Sequence, residues 1–531
     1  MRIARSIQAI AAIAAVGLLA TACGNLDSTS SSDSASSAAA APAASTAASD
    51  AAAPAGTIKV GFVSAETGPL AGFGEADKFV VDQMGAYFAE NPIVAGGTSY
   101  NVEIIQKDAE SDSKRAAEVA GELINTDGVD VILVHGTPEM VNPVSDQCEA
   151  NQVPCISSDA PWQPYFIGRG GKPGETSFTW TYHFFWGLED IAAVYQDMWN
   201  QVDTNKKVAG FFPNDPDGQA WSANLPGIVE ANGYTINNPG LHTNLSQDYS
   251  SQISAFKKNK DEILMGVPLP PDFTTFWKQA KQQGFNPKIA TIGKALLFPS
   301  SIEALGDIGE NLGTEVWWSS TSPFKSSLTG MSAAEYTQAY TDATSKQWTQ
   351  PLGFSEALFE VMAAAVIAAG GPDKQGIVDA MKTMKVSTIV GDLDWTTGPV
   401  PNVAKTPLTG GQWRKTDGGA FPWELVIVSN SIAPMVPTGS IVTVLRLCPR
   451  ARPCFSKPCK GEVSAHERIA RGPRTVEAVR QCRDRRGRHL RCPGGNGPWH
   501  RRPEWRGQVD AALAHHRRAA VRLRHHHLPG P

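Results

Sequence analysis

Side chains able to do chemistry are sparse in the first 440 positions, and their spacing favours binding over catalysis. His135, His183 and His242 stand alone, without the close spacing that holds a metal, and read as packing or hydrogen-bonding residues. The run GRGGKPGE, 168–175, has the glycines of a phosphate-cradling loop. It lacks the closing K-[ST] and opens no helix, so it reads as a surface turn. Nucleophile elbow, zinc-protease motif and P-loop are all missing from this part of the chain, so no metal or cofactor is expected. Aromatic residues are plentiful: Trp180, Tyr182, His183 and Trp186 crowd one stretch, and Trp317 and Trp318 another. Aromatic faces supply apolar area and hold planar or cationic groups. Cys148 and Cys155, in CEANQVPC, run from a helix end to the next strand, and an oxidising compartment favours a disulfide there.

An alternating framework must position these groups. IKVGFVS, NVEIIQKD, VDVILVHG and VPCISSD read as strands, separated by helical spacing over 72–90, 113–126 and 139–151. The rhythm restarts after the first aromatic stretch. Helices over 188–201, 219–232, 248–259 and 273–282 alternate with KVAGFFPND, YTINN, EILMGV and KIATIG. Three more helices follow the second aromatic stretch, over 333–345, 355–369 and 374–384, and WELVIVSN closes the pattern. Strands separated by helices of this length imply an α/β fold of two doubly wound parallel-sheet lobes.

Charge and composition divide the chain. Residues 441–531 hold 21 Lys and Arg against 6 Asp and Glu, a net +15, which leaves −20 for the first 440 and gives the overall −5. The N-terminus pairs Arg2 and Arg5 with an apolar run, 7–20, that ends in LATAC. This is a secretory signal, too short to span a bilayer, and its end on Cys23 resembles a bacterial lipoprotein signal with Cys23 lipidated. Residues 25–56, of which 22 are Ala or Ser, lack the apolar surface to fold and read as a flexible tether. The expected organisation is thus a signal over 1–23 and a tether over 24–56, with the body extracytoplasmic, anchored at the outer face of the cytoplasmic membrane or free in the periplasm.

The opening VGFVSAETGPLAGFG, with G-P-L-A-x-x-G over 68–74, the late DLDWTTG and the closing WELVIV resemble solute-binding proteins of ABC importers, branched-chain amino-acid type. The resemblance covers 57–437. It implies a type I periplasmic-binding-protein fold, with lobe I over 57–177 and 323–390 and lobe II over 178–322 and 391–437. Three crossovers would lie near 178–186, 316–323 and 388–395. It also implies a monomer that captures a small solute and meets a permease with its ATP-binding subunits, with no chemistry and no nucleic acid. Matched to the family's motifs, the ligand residues would be Phe73, Thr137, Ser158, Asp159, Trp162, Asp217 and Lys294, with Trp180 from the first crossover. The family's S-P-A-A-T is SSDAPW here, and Lys294 stands where an acid commonly meets an ammonium group. A lysine there would favour an anion, while Asp159 and Asp217 could accept hydrogen bonds from hydroxyls or amines; the solute is expected to be amino-acid-like, an amide, or an aromatic or cyclic acid larger than leucine. A ligand sensor or an uncharacterised enzyme on the same body are the alternatives.

The segment 438–531 is expected to be disordered. Its Arg, Cys and His content could suggest a nucleic-acid arm or a metal site. RPEWRGQVDAAL, 502–513, permits codons that one base later read GPNGAGKSTLL, a Walker A loop. The segment therefore reads as the out-of-frame start of a neighbouring transporter ATPase gene.

Overall fold

The computed structural model describes residues 54–444, together with a small antiparallel pair, Cys482–Arg483 with His489–Leu490. The chain falls into two units, Met1–Arg450 and Ala451–Pro531. The signal with Cys23, nearly all of the tether and most of the basic segment lie outside the described residues.

The first unit is built on two seven-stranded sheets. One contains β1 (Gly56–Ser64), β2 (Ile93–Ala95), β3 (Thr98–Asp108), β4 (Val131–His135), β5 (Cys155–Ser158) and β6 (Thr181–Phe184). The other contains β7 (Lys207–Phe211), β8 (Thr235–Asn237), β9 (Ile263–Gly266), β10 (Ile289–Ile292) and β11 (Gly313–Val316). After them come the hairpin β12 (Lys385–Thr388) and β13 (Gly391–Asp394), then β14 (Val403–Ala404), β15 (Thr409–Lys415) and β16 (Trp423–Ser429). The sheet orders are β14-β6-β5-β4-β1-β3-β2 and β16-β15-β11-β10-β9-β7-β8. Pairing is parallel in each sheet except at β2, β15 and β16. Runs such as VILVH are buried throughout because helices cover both faces of each sheet, as parallel sheets require. The order in which strands are added reverses between β1 and β4 and between β7 and β9. Such switch points leave a crevice at the carboxyl ends of strands.

Two lobe boundaries differ from those predicted. β6 pairs with β5 and the two-residue β14 pairs with β6, so both 181–184 and 403–404 lie in the first sheet. The first crossing therefore follows Phe184, and the third runs from Ala404 to β15, past the predicted 388–395. The 385–394 stretch is a separate hairpin instead, secured to the first lobe where the indoles of Trp318 and Trp395 donate to the carbonyls of Ile389 and His183. The predicted end at 437 is also too early. Gly439 N–H donates to Ile427 O, Val442 exchanges two hydrogen bonds with the Gln412 amide, and Val444 N–H donates to Lys288 O. Body structure thus extends through Val444.

The helix Pro351–Ala369 is apolar enough by composition to cross a membrane, but most of it is buried in the first lobe. Proline at its first turn costs no hydrogen bond there. This helix buries Glu356 and Glu360, one turn apart. Glu360 accepts from Ser327 N–H and Oγ and from Ile389 N–H, which ties the 326–332 loop and the hairpin to the core. Burial, and for Glu356 also the Glu360 charge, raises the two carboxyls to about 8 and about 7. Protonation is then favoured by the folded state. Their contribution is complete below the ordinary value of 4.5 and is lost as pH rises through 7–8. Unfolding midpoints should fall between pH 5.5 and pH 8.5, and Glu360→Gln should shrink that fall. An unchanged pH dependence in the variant would contradict the assignment.

Candidate functional site

One buried cavity lies between the carboxyl ends of the two sheets. It is lined by Phe73, Thr137, Asp159, Pro161, Phe185, Trp186, Asp217, Trp221, Val267, Lys294, Leu297, Glu315 and Trp317. Glu315 is in β11 and Trp221 in the helix Pro216–Glu230; the others follow strands: Phe73 follows β1, Thr137 β4, Asp159 and Pro161 β5, Phe185 and Trp186 β6, Asp217 β7, Val267 β9, Lys294 and Leu297 β10 and Trp317 β11. The free volume is about 20 Å³, room for one or two waters. A solute of amino-acid size therefore enters only when the lobes part. Aromatic rings close the two sides on each other. Phe73 of the first lobe meets Phe298 edge-on at 5.1 Å and Trp317 at 6.1 Å, while Phe185 meets Trp317 edge-on at 4.9 Å.

The second lobe contributes a charged cluster. Lys294 takes a left-handed backbone after β10, φ 56°, which turns its side chain into the cleft. Its Nζ lies 2.8 Å from Asp217 Oδ2, 3.3 Å from Asp215 Oδ2 and 3.8 Å from Glu139 Oε1 of the first lobe. Asp215 caps the helix Pro216–Glu230 by accepting from Gly218 N–H at 2.8 Å, and Asp217 sits in its first turn. Burial alone would lower the Lys294 ammonium, but Asp215, Asp217 and Glu139 more than reverse this and hold it well above the usual lysine range. Burial, with Glu139 and Asp215 adding to it, raises Asp217 to about 7 against the pull of Lys294. Glu315 accepts from Tyr195 OH at 2.6 Å and from Lys294 N–H at 3.2 Å.

In the first lobe a relay runs inward from the cleft. His135, at the end of β4, bridges Asp159 Oδ2 through Nδ1 at 3.0 Å and Asp77 Oδ2 through Nε2 at 2.8 Å. Ser355 Oγ donates to Asp77 Oδ1 at 2.8 Å, and Ser64 Oγ donates to Oδ2. Burial would lower the imidazole, yet the two carboxylates outweigh it and raise His135 to about 10. Asp159, held at φ 70°, is left with one oxygen facing the cavity. His183 is the opposite case. Burial lowers it to about 3, and it stacks on Tyr165 at 4.1 Å while its nitrogens meet Ser157 Oγ and Ala160 O. It is a satisfied core histidine.

Of the residues predicted to bind, Phe73, Thr137, Asp159, Asp217 and Lys294 meet in this cavity, and three do not. Ser158 is spent inside the sheet, donating to Phe184 O at 2.7 Å. The Trp162 indole donates to Glu189 outside the cavity at 3.1 Å. Trp180 precedes β6, so it lies at the amino end of the sheet, away from the cleft. Lys294 does not favour an anion as expected, since carboxylates already surround it. The predicted disulfide is also corrected. Cys148 and Cys155 are free, buried thiols, adjacent enough to interact and accommodated as small apolar groups in the core. Sequence reasoning missed Phe185, Trp221 and Glu315. Phe185 and Glu315 were signalled by position after or within a strand of a parallel sheet, and Trp221 by its place in the second turn of the helix Pro216–Glu230.

Comparison places this architecture among known proteins. Residues 57–419 match the family model described as periplasmic binding protein. No curated protein matches in sequence. Among solved structures, the leucine-binding protein LivK of Thermotoga maritima shares 18% identity at TM-score 0.59, covering 71% of this chain and 99% of its own. LivJ of Streptococcus pneumoniae, solved with isoleucine, shares 16% at TM-score 0.55, covering 70% and 100%. A Rhodopseudomonas palustris ABC-transporter solute-binding protein, solved with 3,4-dihydroxybenzoic acid, shares 18% at TM-score 0.56, covering 70% and 96%. The chain belongs to the periplasmic binding protein family.

Proposed function

We propose that this receptor captures a small organic solute in the cleft between its two lobes and delivers it to a membrane permease driven by ATP-binding subunits. It acts as a monomer, held at the outer face of the membrane by lipid on Cys23. Lobe I is assigned 57–184 with the segments that return to the first sheet, and lobe II the remainder of the body. The observation that carries the reading is the cavity at the carboxyl ends of both sheets, lined from both lobes, with an ion pair, Lys294–Glu139, across it. Solute buried between lobes stabilises the closed form, a hinge motion rather than a reaction. The solved relatives carry isoleucine in one case and an aromatic acid in another, so small solutes of differing charge are compatible with this fold.

Closure has a steric handle at Gly72. A Cβ there would lie 2.8 Å from the Phe298 ring across the cleft. Gly72→Val should hold the lobes apart at a cost of ~1–3 kcal/mol, weakening solute binding roughly ten- to hundredfold while each lobe keeps its fold. Calorimetric titration with a stabilising solute, found by thermal-shift screening of the full chain, reads this out. Unchanged affinity would mean that the two surfaces do not approach when solute binds.

A further inference from the structure

Resting on the solute-receptor reading, we infer that the solute is a cationic amine that also carries an oxygen acceptor, its ammonium held between Asp159 of one lobe and Asp217 of the other. Among the described residues, Asp159 Oδ1 and Asp217 Oδ1 are buried without a hydrogen-bond partner, and both residues line the cavity. Their other oxygens are taken, by His135 and Lys294, so each has one oxygen left to accept a hydrogen bond. The cavity also presents the indole N–H groups of Trp186, Trp221 and Trp317. All three are at most 5% exposed and have no partner among the described residues. An indole donates only, so these groups require an acceptor on the solute, and the neutral indole suits a hydroxyl or carbonyl oxygen.

A carboxylate is poorly served by the same walls. The cavity's one lysine is already shared among Asp217, Asp215 and Glu139, and no arginine lines it. Two helix N-termini point toward the cleft, a geometry that ordinarily attracts anions. Each carries its own acid in the first turn or cap: Glu139 in one, Asp215 and Asp217 in the other. Aromatic faces from both lobes complete the walls, and such faces attract a desolvated cation. An ammonium therefore meets carboxylates and ring faces, whereas a benzoate or an amino-acid carboxylate would meet unneutralised acid.

The test uses the full chain and a low-molecular-mass extract of growth medium, split on a cation exchanger into retained and flow-through fractions. Thermal stabilisation should come from the retained, cationic fraction. Asp159→Asn should lose it, with affinity for a purified retained component falling at least about 30-fold. Trp317→Phe, which keeps the ring and removes the donor, should cost roughly two- to tenfold. Stabilisation by the flow-through, where acids and neutral solutes emerge, would overturn the amine assignment and leave the receptor reading intact. Stabilisation by neither fraction would count against both.

Discussion

Lys294→Met should destabilise the body by ~3–5 kcal/mol, because removing one partner of a buried ionic cluster leaves uncompensated charge. Lys294 is 3% exposed, and its ammonium is the nearest cation to Asp215 and Asp217. Methionine fills similar volume, so the loss reports charge rather than packing. Asp217, already raised to about 7, would take a proton more readily, which softens the penalty at low pH. The double variant Lys294→Met/Asp217→Asn should recover part of the loss. Urea unfolding at pH 8 measures both. A single variant within ~1 kcal/mol of the parent would show that the cluster is solvated and that its geometry carries no weight.

His135→Leu should have an effect of similar size. It strands Asp77 and Asp159, both buried, leaving Asp77 the hydroxyls of Ser64 and Ser355 and Asp159 no side-chain partner among the described residues. The pH dependence distinguishes charge loss from a cavity. The imidazole is raised from 6.5 to about 10 on folding, so its contribution is complete below pH 6.5 and is lost as pH rises through 10. The parent should lose stability steadily across that window. His135→Leu should be weaker at pH 6 and converge on the parent near pH 10. A constant difference from pH 6 to pH 10 would mean that His135 acts as filler.

Much of this architecture is legible in the sequence because parallel sheets write themselves as apolar runs between helices. The runs IKVGFVS, VDVILVHG and EILMGV are strands for that reason, and the residues just after them meet at the cleft. What escapes is information carried by pairing. β14 is two residues long, too short for any periodicity, yet it moves the third crossover past the hairpin. TGGQWRK is β15, but its two glycines and its antiparallel place between β11 and the edge strand β16 hide it from a pattern tuned to buried parallel strands. Lys294 shows the same limit in the site. Its identity suggests an anion, while its meaning depends on Asp215 and Glu139, which lie 79 and 155 positions upstream and arrive only through the fold. Trp180 misleads because an aromatic residue near a crossover can lie at either end of the sheet, and Trp162, matched by motif after β5, misleads because its indole is taken by Glu189.

A crystal structure of the full chain grown with the stabilising medium fraction tests the central claim most directly. The solute should lie between the lobes, contacted by Asp159 and Phe73 from one and by Asp217 and Trp221 from the other, with the cleft closed around it. Solute bound to one lobe alone, or outside the cleft, would contradict capture between closing lobes.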